Sequence, residues 1–308
     1  MNTDQAAAAR PSGGPDQRDT SSSPLRHPAG TALGDALADQ PGAPVDRAPN
    51  APARADFDEF APEYVDAVDK SVAFTGRDSA FFAERKVDLL ARLASSRVGG
   101  LAASSVLDVG CGTGTTDKLL VDRCGQLAGV DVSEEMLVEA RRTVPGVDYR
   151  WYDGFSLPFE AGRFDVVLAI CVLHHVEPPD RPDFVAELAR VTRPGGLLAI
   201  FEHNPFNPLT RRAVSTCPVD EGVVLSRHTR TLALLRHAGI DDASVTHYLF
   251  SPLGGGLGRG IDALFSWLPM GGQYVAWGSP RRDPRLAASM DAHPGGKQAA
   301  GSAEAQTS

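Results

Sequence analysis

The chain has 308 residues, with 30 basic and 39 acidic side chains and a net charge of −9. That balance excludes a protein that wraps nucleic acid by neutralising phosphates. A hydrophobic share of 42% excludes a wholly disordered chain.

In chain order, residues 1–55 are dominated by Ala, Pro, Gly, Ser, Asp and Arg, with few sizeable apolar side chains, and residues 283–308 are alike. Neither segment buries enough apolar surface to offset the entropy of ordering it, so both are expected to be disordered. The folded part is then one domain over 56–282. Within it, 56–98 is expected to be a helical lid, with amphipathic helices over Phe57–Phe74 and Ser79–Arg97. No apolar leader run is visible, and the longest apolar run, Val166–Leu173, is too short to cross a bilayer. A cytoplasmic protein with no membrane partner is the expectation.

From residue 104 strands and helices alternate. Ser105–Val109 reads as a strand, Thr115–Arg123 as a helix and Gln126–Val132 as a strand. Ser133 is a good N-cap for a helix over Glu134–Arg142. Val147–Trp151 and Phe164–Val172 read as strands, Asp183–Thr192 as a helix and Leu197–Phe201 as a strand. Beyond it, Asn204–Arg230 reads as short helices and loops, and Leu232–Ala238 as a helix. Ser244–Phe250 and Gln273–Trp277 read as two strands about a Gly-rich insertion. Alternation of this kind specifies an α/β fold, a mostly parallel sheet with helices on both faces.

The chemistry centres on Asp108-Val-Gly-Cys-Gly-Thr-Gly114, where the first strand gives way to a helix. Glycines 110, 112 and 114 let the backbone turn tightly and let a ligand lie against it. The spacing is G-x-G-x-G, not the G-x-G-x-x-G of dinucleotide sites, and no GK[ST] follows, so a phosphate P-loop is absent.

DVGCGTG after an apolar strand resembles the first motif of class I S-adenosylmethionine-dependent methyltransferases. Four further features stand in that family's order: Asp131 ending the second strand, Tyr152-Asp-Gly with Ser156-Leu-Pro-Phe159, the fourth strand with Leu173-His-His-Val176, and Arg193-Pro-Gly-Gly. The resemblance covers about residues 104–203. It implies a Rossmann-like seven-stranded sheet of order 3-2-1-4-5-7-6 and S-adenosyl-L-methionine as cofactor. It further implies that Asp108 orients the methionine ammonium and that Gly110, Gly112 and Gly114 give close backbone approach. Asp131 would take the ribose hydroxyls with Val132 beside it. Asp153 and Gly154 would meet the adenine, and the backbone at Ile170 would line the methionine end.

Ligands bind beyond the carboxyl ends of parallel strands. That directs attention to His174-His175 and to Glu202-His203-Asn204 for a proton acceptor. His203 is favoured over His175, because Glu202 and Arg211/Arg212 suggest a polar cluster around it. Arg211 is a candidate for binding an anionic substrate group, and Tyr64 for roofing the pocket with Phe74 and Phe81. The unusual segments Phe201–Arg212 and Cys217-Pro-Val-Asp220, with Phe57–Tyr64 and Asp69-Lys-Ser71, resemble a methyltransferase subfamily found among bacterial biosynthetic genes, a resemblance that names no substrate. The four cysteines, 111, 124, 171 and 217, form no CxxC pair, and no Asp/Asn-rich cluster is visible, so no metal is expected. The expected function is methyl transfer to a small biosynthetic molecule, on oxygen, by a monomer or homodimer with no nucleic-acid partner. N-methylation and a non-catalytic S-adenosyl-ligand binding module or scaffold are the alternatives.

Overall fold

The computed structural model describes residues 57–281. The segments 1–55 and 283–308, expected to be disordered, lie outside the described residues. After a short helical segment over 57–60 and a 3-10 turn at Ala61–Glu63 come two helices, α1 (Tyr64–Val72) and α2 (Ser79–Arg97). Next come β1 (Ser105–Val109), α3 (Asp117–Leu120), β2 (Gln126–Asp131), α4 (Glu134–Thr143), β3 (Asp148–Trp151) and β4 (Phe164–Ile170). The chain continues through α5 (Arg181–Val191), β5 (Thr192–His203), α6 (Pro208–Thr216), α7 (His228–His237), β6 (Ser244–Tyr248), α8 (Gly255–Phe265) and β7 (Gln273–Gly278). No described helix is long and apolar enough to cross a membrane.

The seven strands form one sheet of order β3-β2-β1-β4-β5-β7-β6. The first five strands pair in parallel, and β7 runs antiparallel to both β5 and β6. Alternate residues of each central strand bury on opposite faces. Leu107, Val109, Val167, Ala169, Leu198 and Ile200 pack with Val185 and Leu188 of α5 and Leu234 and Leu235 of α7. Val106, Val166, Leu168, Leu197, Ala199 and Phe201 pack with Val87, Leu90 and Ala94 of α2. Burial on both faces is why these strands read as unbroken apolar runs.

Local signals set the helix starts. Asp78 accepts from the Phe81 amide at the start of α2, and Ser133 accepts from the Met136 amide at the start of α4. Several elements depart from the sequence reading: the helix expected over Phe57–Phe74 is broken by a 3-10 turn at Ala61–Glu63, and β5 begins at Thr192 rather than Leu197. The helix expected over Thr115–Arg123 shrinks to α3, because Leu119 N donates to Thr116 O and Arg123 N to Leu120 O, three-residue turns rather than helical ones. The Gly-rich insertion contains α8, whose buried Asp262 pairs with buried Arg85 of α2 and accepts from the Phe250 amide. That tertiary anchoring outweighs the poor helix propensity of four glycines.

Candidate active site

The glycine loop leaves β1 at Val109 and turns beneath β4. Gly110 has φ +74°, and a Cβ there would stand 2.4 Å from Val172 Cγ2, so only glycine allows the loop to pack against the segment after β4. Gly112 also has positive φ, but a Cβ there would meet nothing within 4 Å; its backbone borders open space. Asp131 closes the loop from the end of β2: its Oδ2 accepts from Gly112 N at 2.8 Å and its Oδ1 from Ser133 N at 3.0 Å. Burial raises the pKa of this carboxyl above its ordinary value, with the Ser133 and Gly112 amides opposing.

Asp108 lies at the carboxyl end of β1, 2% exposed and facing the cavity. Burial first, and then neighbouring Asp117, push its pKa well above the carboxylate range. Asp117 shares a hydrogen bond with it and accepts one from Tyr149 Oη at 2.8 Å; burial sets its own pKa at about 6. Asp108 Oδ1 has no partner among the described residues. Two buried acids with an unpaired oxygen at a cavity wall form a receptor for a cationic group.

A cavity of about 480 Å³ runs from this loop across the carboxyl edge of the sheet. Asp108, Gly110, Gly112 and Ile170 line one end; Tyr64, His175, His203 and Asp220 line it further along, with Lys86 of α2. At its floor Cys171 takes φ +56°, a left-handed conformation rare outside glycine, where the chain leaves β4. The N-terminal helices supply the roof, through Tyr64 and Val68 of α1 and Phe82 and Ala83 of α2.

Three histidines and two carboxylates meet behind this wall. His174 Nδ1 hydrogen-bonds Glu202 Oε2 at 2.7 Å, with both side chains fully buried. The Nε2 atoms of His174 and His175 each stand 3.5 Å from Asp220 Oδ1. Burial pulls the His174 pKa down, but Glu202 and Asp220 outweigh it and hold it at about 10. The Asp220 and Glu202 carboxyls are correspondingly held below their ordinary range, although burial opposes this. Burial lowers His175, and lowers His203 to about 4, so both rings are neutral near pH 7. Gln273 Oε1 accepts from Tyr248 Oη at 2.7 Å, which turns its amide Nε2 toward His203 Nδ1 at 3.2 Å. An amide nitrogen only donates, so Nδ1 accepts and the His203 proton resides on Nε2.

The structure does not gather every residue singled out in the sequence. Asp131, Val132, Asp153 and Gly154 cluster beyond β2 and β3, outside the cavity wall. Asp153 Oδ1 accepts from Phe155 N and Ser156 N, holding a turn. Gly154 faces Val132, whose carbonyl accepts from Trp151 Nε1. Gly114 packs against Tyr149 and Ala140, also away from the cavity. Arg211 lies apart from His203: α6 turns Thr210 and Val214 to the cavity and leaves Arg211 exposed over a separate surface hollow. Arg212 lies over the Phe74 ring at 4.7 Å, so neither arginine joins His203, and Glu202 pairs with His174 instead. Phe81 meets Arg77, and its neighbour Phe82 lines the cavity in its place. Asp220, Lys86 and Gln273 were missed as functional candidates. The Cys217-Pro-Val-Asp220 segment was visible as unusual, but no spacing rule joins it to His175.

Residues 107–200 match the family model described as a methyltransferase domain. The demethylmenaquinone methyltransferase of Renibacterium salmoninarum is 33% identical over 154 residues, 49% of this chain and 60% of that protein. The trans-aconitate 2-methyltransferase of Azoarcus sp. is 35% identical over 133 residues, 42% of this chain and 49% of that protein. The chain thus spans less than two thirds of the length of either relative. Among solved structures, an S-adenosylmethionine-dependent methyltransferase from Thermotoga maritima superposes with a TM-score of 0.52 at 20% identity, covering 74% of this chain and 99% of that one. That likeness concerns the fold.

Proposed function

We propose that this chain, whose residues 107–200 match the methyltransferase domain model, is a class I S-adenosylmethionine-dependent methyltransferase that moves the methyl group of S-adenosylmethionine to a hydroxyl oxygen of a small molecule. The observation that carries this reading is the single cavity in which Asp108 and the glycine loop share a wall with His175, His203 and Asp220. Demethylmenaquinone and trans-aconitate, the acceptors in the two relatives' names, are both small molecules, in keeping with a cavity of this size.

The residues present fit the cofactor. The open space over Gly112 admits it, the unpaired Asp108 oxygen suits its ammonium, and the Asp131 carboxylate, held by backbone amides of Gly112 and Ser133, has acceptor capacity left for a ribose hydroxyl. Val132 and Gly154, which face each other, would flank the base, and the Ile170 backbone at the cavity wall would border the methionine end. The sulfonium supplies a methyl group already activated, so alignment and proton removal are the protein's tasks.

Alignment falls to the roof, where Tyr64 closes over the acceptor end. His203 bears its proton on Nε2 and therefore donates to the acceptor oxygen rather than deprotonating it. The acceptor's proton leaves toward His175 and Asp220, a neutral imidazole beside a carboxylate. As the methyl–oxygen bond forms, the methyl–sulfur bond breaks and the sulfonium becomes a neutral thioether.

Incubation of the full chain with methyl-labelled S-adenosylmethionine and a protein-free cell extract tests this. Label is expected in a low-molecular-weight product as a methyl ether. Label confined to protein or nucleic acid, or in an amine, would remove the acceptor assignment. Binding of the cofactor with no transfer to any fraction would favour a non-catalytic module.

A further inference from the structure

We propose that His174, His175 and Asp220 form a binding site for one divalent transition-metal ion at the acceptor end of the cavity. It rests on the reading of this cavity as the acceptor site and adds to it the electrophile that holds the acceptor oxygen. No metal is expected from the residue spacing alone, because the third ligand comes from a loop remote from the two histidines.

The geometry has three parts. First, one ligand atom from each residue can be chosen so that all lie within 4.8 Å of one another, and Asp220 Oδ1 stands 3.5 Å from both Nε2 atoms. A charge-assisted hydrogen bond would close to roughly 2.7–2.9 Å. Two ligands each about 2.1 Å from a tetrahedral ion lie roughly 3.4 Å apart. Second, His174 Nε2 is fully buried and makes no hydrogen bond among the described residues. Third, His174 Nδ1 is bonded to buried Glu202 at 2.7 Å, which fixes its ring and leaves Nε2, once an ion displaces its proton, as the ligand atom, the carboxylate–histidine–metal arrangement.

Charge and access agree. Glu202, fully buried, and Asp220, mostly buried, place two carboxylates beside these histidines, and a dication balances them. Two imidazoles and one carboxylate suit zinc, iron, cobalt or nickel better than magnesium or calcium. His175 and Asp220 line the cavity while His174 does not, so the ion's remaining positions face the acceptor. With the ion bound, His175 and Asp220 would serve as its ligands rather than as proton acceptors, and the ion would take over their task by lowering the pKa of an acceptor hydroxyl so that its proton passes to water.

The test is calorimetric titration of the chelator-treated full chain with zinc chloride, followed by cobalt(II) absorption in the visible as a report on coordination. One ion per chain is expected. Asp220→Asn and His175→Gln should each weaken it by more than about tenfold, and Glu202→Gln by 10- to 100-fold, the scale for outer partners of a ligating histidine. Replacement of exposed His237 should leave it unchanged. Circular dichroism and S-adenosylhomocysteine affinity, measured on every variant, confirm that each is folded. Absence of zinc binding by the folded wild type, or zinc binding that survives Asp220→Asn, overturns the site. Zinc bound as expected by a chain that fails to bind S-adenosylhomocysteine instead faults the methyltransferase reading.

Discussion

Asp220, in the turn after α6, sets its Oδ1 3.5 Å from the Nε2 of His175, in the loop after β4. The pairing joins the segment that carries the substrate-side loops to the carboxyl edge of the sheet. Replacing Asp220 with Asn keeps the shape and removes the charge. Turnover should fall by about 10²- to 10⁴-fold, the range for lost acid–base assistance, with S-adenosylhomocysteine affinity unchanged. Equal losses in both would show that Asp220 shapes the cofactor end instead.

His203 separates donation from proton abstraction. Its Nδ1 is occupied by Gln273, so only Nε2–H is offered to the cavity. His203→Gln, which can still donate, should retain more turnover than His203→Ala, and neither should change cofactor affinity. Identical loss in both variants, read from steady-state kcat, would speak for a basic nitrogen instead.

Cofactor binding should release a proton. Asp108 is held well above its ordinary pKa in the free chain, by burial first and by Asp117 next. An arriving ammonium stabilises its ionised form and pulls that pKa down, so affinity rises with pH until Asp108 is ionised in the free chain as well. Calorimetry in buffers of different ionisation enthalpy should show proton release at pH 6, abolished in Asp108→Asn. Proton uptake would contradict the assignment.

Gly110→Ala should destabilise the fold and empty the site together. The new methyl group meets Val172 at 2.4 Å in a backbone conformation that alanine disfavours. A loss of about 1–3 kcal/mol is expected, visible as a lowered Tm, and Val172→Ala should recover part of it. An unchanged Tm would mean that the loop has room to spare.

The sequence revealed whatever follows from burial and local backbone demands. β1 falls on Ser105–Val109 as read, because a strand buried on both faces leaves an unbroken apolar run between turn residues. Ser133 announced α4 through its cap. The glycine loop was legible because its positive φ angles demand glycine. Pairings made in three dimensions were not legible. Asp220 reaches His175 across the fold, and Arg211 points away because the rotation of α6 about its axis is set by packing. Helix α8 hid behind its glycines, since its anchor is the ion pair between Arg85 and Asp262.

Titration of the full chain with S-adenosylhomocysteine, beside Asp131→Ala, tests the central claim most directly. One molecule should bind per chain, and the variant should bind more weakly by about 1–3 kcal/mol, the scale for lost hydrogen bonds to a charged group, while remaining folded by circular dichroism. No binding by the wild type, or undiminished binding by a folded Asp131→Ala, would contradict the account.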